Sequence, residues 1–243
     1  MRIPRIYLEQ ALAEHTRCLL SEDAAHHVSK VLRMGPGQFL HLFNGRGGYF
    51  DATIMQADKR SVEVVTGAHH DDECESPLAI TLAQGVSRGE RMDYTLQKAV
   101  ELGVQHIVPV LCQYTNVKLD AGKKQKRHEH WGKIIINACE QSGRNRIPSL
   151  ALAQELEEWV GVDVNRLKLI LHPGTSMQLS QLKSKQDSLT LLAGPEGGFS
   201  DTEVALAVQY GYQAMTLGPR VLRTETAALA AITACQVVWG DLR

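Results

Sequence analysis

Residues 191–231 constrain the fold more than any other part of the chain. An apolar run, Leu191-Leu-Ala, ends in Gly194-Pro-Glu-Gly-Gly198, and a second turn, Leu217-Gly-Pro-Arg220, leads through Val221-Leu-Arg-Thr-Glu-Thr226 into an alanine-rich helix. Strand, glycine-bearing turn and helix thus occur twice in succession. Glycines at such turns can take φ > 0 and let a ligand lie against the backbone, and the helix that follows opens with free N–H groups. The pattern is that of a small-molecule site.

The preceding chain alternates in the same way. Strands are expected over 78–82, 106–112, 167–171 and 189–193, and helices over 91–102, 123–142, 155–160 and 176–183. In the first helix Met92, Leu96, Ala99 and Val100 share one face, and Gly103 stops it. Alternation of this kind predicts an α/β fold, a mostly parallel sheet flanked by helices. Ligands of such sheets lie outside the carboxyl ends of the strands, so Leu171-His-Pro-Gly174 joins the two later turns as a third lip of one site. Ser200-Asp-Thr-Glu203 is a capping box that would hold Gly197 and Gly198 in place.

The first third of the chain reads differently. A short strand near 6–8 precedes a helix over 21–32 capped by Ser21, and strands over 38–43, 49–57 and 61–66 are separated by the turn signals Asn44-Gly45 and Asp58-Lys-Arg. Residues 69–77 are polar and acidic, end in proline and read as a linker. We therefore expect a small β-rich domain over 1–72 and an α/β domain over 73–243. Arg2, Arg5, Tyr7 and Arg33 could supply phosphate forks and a base-stacking ring for RNA, or be solvated side chains, because eight basic and seven acidic residues nearly cancel over residues 1–70.

Several classes are excluded. No run approaches the roughly 20 apolar residues of a membrane span, and the N-terminal residues lack an apolar signal core, so a soluble protein is expected. The five cysteines are scattered and read as reduced cytosolic thiols. His69-His70 and His128-x-His130 lack a third ligand, so no metal is expected. The turns carry neither a P-loop lysine nor a dinucleotide fingerprint, and no nucleophile elbow is present.

A net charge of −1 hides a bias over 78–150, where eleven Lys/Arg face six Asp/Glu. Part of it is the run Lys123, Lys124, Lys126, Arg127, His128 and His130, either a solvated helix face or a nucleic-acid contact. Cys139-Glu-Gln-Ser-Gly-Arg-Asn145 closes the same helix, with Arg144 either a binding residue or a surface cap. In the last helix Ala227, Ala228, Ala230, Ala231 and Ala234 allow close approach, while Leu229, Ile232, Val237 and Val238 supply apolar surface for core, for a dimer contact, or for both.

The motifs together resemble the RsmE family of ribosomal RNA uridine N3-methyltransferases, of the SPOUT superfamily. Arg5-Ile-Tyr, His27-Val-Ser-Lys-Val-Leu-Arg33, Lys98-Ala-Val-Glu-Leu-Gly103, Glu140-Gln-Ser-Gly-Arg144, His172-Pro, Gly194-Pro-Glu-Gly-Gly198 and the run 217–226 occur in the family's order. The resemblance implies a PUA-like β-barrel that handles RNA, followed by a SPOUT domain with a C-terminal trefoil knot. It implies a cytoplasmic homodimer acting on 16S ribosomal RNA or the small ribosomal subunit. S-adenosylmethionine would be held by Leu171, His172 and Pro173, by Gly194, Pro195, Glu196, Gly197 and Gly198, and by Leu217, Gly218, Arg220, Val221, Leu222 and Thr224. Arg88 joins the candidate RNA contacts.

Uridine N3 carries a proton at neutral pH, so methylation requires its removal and stabilisation of an anion spread onto O2 and O4. Arg223 and Arg144 are the electrostatic candidates, and Glu225 the candidate for accepting the proton or orienting an arginine. Arg223 and Glu225 could instead pair and merely hold the loop. Two further functions stay open: an RNA-binding protein with a vestigial pocket, and a related enzyme modifying transfer RNA.

Overall fold

The computed structural model describes residues 3–58, 61–117, 119–175, 177–182 and 185–242. They form two compact units, Met1–Glu75 with Cys139–Ile147, and Ser76–Ala138 with Pro148–Arg243.

The first unit contains β1 (Arg5–Tyr7), β2 (Arg17–Leu19), α1 (Glu22–His26), β3 (Phe39–Phe43), β4 (Tyr49–Ala57) and β5 (Val62–His70). Its sheet runs β1-β3-β4-β5-β2, with β1 parallel to β3 and the other pairs antiparallel. Alternate residues face inward, as the pleat requires: Leu40 and Leu42, Ala52 and Ile54, and Val62 and Val64 meet Ile6, Cys18, Ala25 and Val28 in one core. Ser21 caps α1 by accepting from the Ala24 N–H at 3.3 Å. The helical path then widens into a π-turn over His27–Val31.

The expected linker is in part sheet. β5 continues past Thr66 because His69 and His70 pair with Phe50 and Tyr49. Residues 72–75 are fastened as well: the Gly48 N–H donates to Glu73 at 2.8 Å, and Asn145 Nδ2 donates to the Asp72 carbonyl at 2.6 Å. Such bonds bring residues 139–147 into this unit from far along the chain. Tyr7 N–H also donates to Glu140 at 2.9 Å, whose carboxyl burial pushes above the usual carboxylate range.

The second unit contains β6 (Ala79–Gly85), α2 (Glu90–Glu101), β7 (His106–Leu111), α3 (Ala121–Ser142, as far as Ala138), β8 (Ser149–Leu150), β9 (Gln154–Glu155), α4 (Leu156–Val162), β10 (Leu167–Leu171), β11 (Ser188–Ala193), α5 (Asp201–Gln209), β12 (Gln213–Met215) and α6 (Thr224–Trp239). The sheet order is β12-β10-β11-β6-β7-β8, with β9 also on β7, and every pairing is parallel. Central strands are buried, as a sheet covered on two faces demands. Met92, Leu96, Ala99 and Val100 of α2 are buried as their spacing predicts.

The buried side chain of Gln236 ties α6 to the end of α2. Its Nε2 donates to the Leu102 carbonyl at 2.9 Å and its Oε1 accepts from Ser76 at 2.7 Å. A Cβ at Gly103 would stand 2.7 Å from that Nε2, so the helix stop is also a packing requirement. The expected helix over 176–183 is a single turn at Leu179–Gln181; both of its expected ends lie outside the described residues. No helix among the described residues is long and apolar enough to cross a membrane.

Candidate cofactor and catalytic site

β10, β11 and β12 end on the same edge of the sheet. The order β12-β10-β11 puts β11 and β12 on opposite sides of β10, so the loops that leave them part over its end. A cavity of about 490 Å³ occupies that place. Its walls are Leu171 to Pro173 after β10, Ala193 to Phe199 after β11, and residues from Met215 to Ala227 around the turn after β12, with Arg91 from α2. The size and largely apolar walls suit a small organic ligand.

The middle loop is held from below. A Cβ at Gly85, the last residue of β6, would lie 2.4 Å from the Pro195 nitrogen, so the two backbones touch. Buried Gln84 donates from Nε2 to the Thr224 hydroxyl at 3.0 Å and, at 3.4 Å, to the Gly194 carbonyl. Thr224 in turn donates to the Gly194 carbonyl, which joins the start of α6 to the loop after β11. Glu196 Oε1 accepts from the Arg88 N–H at 2.9 Å and pairs with Arg91 at 3.3 Å, fixing the loop to the beginning of α2. On the far side the capping box forms as expected: Ser200 N–H donates to Glu203 at 2.8 Å and Glu203 N–H to Ser200 at 3.3 Å. The second Glu203 oxygen accepts from the Gln113 N–H at 2.7 Å.

Every residue expected to touch a cofactor lines this cavity except Gly218, which sits at the exposed turn with φ 102°. Arg223 and Glu225 line it too, Arg223 exposed and Glu225 half-buried. They do not pair with each other, and Glu225 Oε2 is buried without a hydrogen-bond partner. Arg144 is not among the lining residues. Its guanidinium is buried in the first unit and donates to Glu75 at 3.0 and 2.5 Å, so it is neither a surface cap nor open to a ligand there.

The candidate RNA residues fare unequally. Arg5 lies over the Phe43 and Tyr49 rings at 5.3 and 5.1 Å and bonds to Asn145, and Tyr7 packs on Phe43, so both are built into the first unit. Arg33 and the Arg88 side chain are exposed, Arg33 at a positive φ of 55°. Arg2 lies outside the described residues. Sequence reasoning missed Arg91, Phe199 and Met215 as lining residues and Gln84 beneath them. A lone glutamine inside the apolar strand 79–85 was the available signal.

Apolar walls, backbone groups from three loops and a few charged side chains, Glu225 among them, make a suitable receptor for a small organic ligand with polar ends. The fold and the cavity together define an α/β enzyme of the kind that binds a small organic cofactor at the ends of parallel strands.

Comparison with known proteins narrows that class. Residues 74–236 match the model of an RNA methyltransferase domain, and residues 20–66 that of an RNA methyltransferase PUA domain. The ribosomal RNA small subunit methyltransferase E of Buchnera aphidicola (Schizaphis graminum) is 38% identical, over 99% of this chain and 98% of its own. A methyltransferase of Legionella pneumophila solved with bound cofactor SAM is 43% identical, with a TM-score of 0.97 and full coverage of both chains. The ribosomal RNA small subunit methyltransferase E of Neisseria gonorrhoeae, bound to S-adenosyl methionine, is 38% identical with a TM-score of 0.93, again over both whole chains. The chain belongs to this family of RNA methyltransferases, with a SPOUT-type α/β domain after a PUA-like one.

Proposed function

We propose that this chain methylates N3 of a uridine in the 16S RNA of the small ribosomal subunit, with S-adenosylmethionine as methyl donor. The observation that carries the reading is the convergence of three strand-end loops on one apolar cavity, with Arg223 and an unpartnered Glu225 carboxylate among its walls. The names and cofactors of the relatives support it.

S-adenosylmethionine supplies a methyl group already activated on a sulfonium, so placement and the charge state of the nucleophile set the rate. Leu171, Pro173, Phe199, Leu217 and Leu222 provide the apolar walls, and His172, Gly194 to Gly198, Arg220, Val221 and Thr224 complete the loops. Glu225 accepts the N3 proton, a role its lack of an ion-pair partner leaves open. Arg223 stabilises the charge that develops on the uracil oxygens. Arg144, held by Glu75, keeps residues 139–147 on the first unit.

Residues 1–72, joined by 139–147, serve as the RNA-handling domain and the rest of 73–243 as the catalytic one, with Arg33 and Arg88 exposed to meet phosphates. The protein works in the cytoplasm as a homodimer. Val237 and Val238 of α6, 53% and 49% exposed, are apolar surface suited to a second copy. The C-terminal segment is threaded as a trefoil knot, in keeping with the Thr224 hydroxyl bonded to Gly194.

The test is methyl transfer from labelled S-adenosylmethionine to small subunits isolated from a strain lacking the protein. Label in a uridine of the small-subunit RNA is expected. Cofactor binding by calorimetry with no transfer to any RNA would instead favour a non-catalytic RNA-binding protein.

A further inference from the structure

The basic run at the start of α3 is no diffuse solvated face. Lys123, Lys126, Arg127 and His130 are spaced i, i+3, i+4 and i+7, which places them on one stripe of the helix. Trp131, Ile135 and Ala138, on a neighbouring stripe, are buried. The four basic side chains line a hollow of about 340 Å³ whose other walls are Val117 and Leu119, from the segment just before α3.

The local acids engage part of this charge. Lys123 pairs with Asp120 at 3.0 Å and His130 with Asp93 at 2.8 Å, while Lys124, outside the hollow, reaches Glu155 at 3.8 Å, and Glu129 accepts from Gln125. Lys126 and Arg127 have no carboxylate partner among the described residues. Asp120, which caps the start of α3 by accepting from the Lys123 N–H at 2.9 Å, is already engaged by Lys123 and leaves Lys126 and Arg127 without a counter-charge among the described residues. A polyanion that brings its own phosphates supplies that counter-charge.

We infer that this hollow binds the phosphate backbone of the RNA substrate, with Lys126 and Arg127 as its principal contacts. The inference rests on the RNA-methyltransferase reading above and adds a surface to it, apart from the cofactor cavity. It is sequence-independent positioning, of the kind phosphate contacts supply.

The test compares wild type with the double variant Lys126→Gln/Arg127→Gln in binding a small-subunit RNA fragment at several salt concentrations. Each phosphate contact contributes about 0.7 (single-stranded) to 0.9 (duplex) to the slope of log affinity against log salt, so loss of two lowers the slope by about 1.4–1.8. Between 50 and 200 mM salt, wild-type affinity should then fall about seven- to twelvefold more than that of the variant. S-adenosylmethionine affinity, measured by calorimetry, should be unchanged, and the conservative Lys126→Arg should keep the wild-type slope. Equal slopes for wild type and double variant overturn the inference and leave the function standing. Absence of RNA binding by the wild type overturns both.

Discussion

Gly85→Ala tests the construction of the cofactor loop. The added Cβ would stand 2.4 Å from the Pro195 nitrogen, 2.5 Å from its Cδ and 2.7 Å from the Gly194 carbonyl carbon, where ordinary contact begins at 3.4 Å. The obstruction is backbone and a proline ring, so no rotamer change relieves it. The loop must retreat by about 1 Å, an overpacking strain of about 1–3 kcal/mol. The retreat also pulls Gly194 from the hydrogen bonds of Gln84 and Thr224 that set the cavity wall. If binding has to restore the native position, that strain opposes the ligand, and about 1.4 kcal/mol is a factor of ten. Isothermal titration with S-adenosylmethionine should therefore show affinity weakened about 5- to 100-fold, together with a lower melting temperature. Gly132→Ala is the control. A Cβ there meets nothing within 4 Å and lies inside α3, so it should stabilise by about 0.4–1 kcal/mol and leave affinity unchanged. Wild-type affinity and stability in Gly85→Ala would refute the reasoning, because the contact would then bear no load.

Three further outcomes are expected. Arg223→Ala should lower turnover about 100- to 1,000-fold while changing cofactor affinity far less, the mark of charge stabilisation confined to the transition state; equal losses in both would make it a cofactor-loop residue. Glu75→Gln removes the carboxylate charge that pairs with the buried Arg144 guanidinium and should reduce unfolding free energy by up to about 3–5 kcal/mol, read as a lower denaturant midpoint. Native protein should yield one thiol per chain to Ellman's reagent, that of exposed Cys74, and unfolded protein five; burial pushes Cys139 and Cys235 up to about 12 and raises Cys112 further, and fast reaction of any of those three would contradict the fold.

Local signals in the sequence were legible wherever a single segment decides the outcome. The capping box at Ser200 and Glu203, the Ser21 cap and the buried stripe of α2 each follow from residues within one or two turns. The three cofactor loops were legible because each is an apolar run that stops at glycine or proline. What the sequence hid depends on distant partners. The strand order that places β10 between β11 and β12 leaves no local trace, and neither does the π-turn after His26, whose hydrogen bonds differ from those of a helix by one residue in reach. β2, β8 and β9 are two or three residues long and carry no period. Arg144 reads as a catalytic or binding residue or as a surface cap because its partner, Glu75, lies 69 residues away in an acidic stretch that reads as a linker. Arg223 and Glu225 invite an ion pair by proximity in sequence, yet α6 begins between them and both line the cavity without pairing.

The cavity of 171–173, 193–199 and 215–227 is expected to deliver a methyl group to uridine N3. The most direct measurement is the identity of the methylated nucleoside released from small-subunit RNA after reaction with labelled S-adenosylmethionine. The account predicts 3-methyluridine, recognised by a base that carries the added methyl and shows no ultraviolet shift in alkali, because no N3 proton remains to be lost. A labelled uridine that still shifts in alkali, or whose methyl is on the ribose, would contradict it.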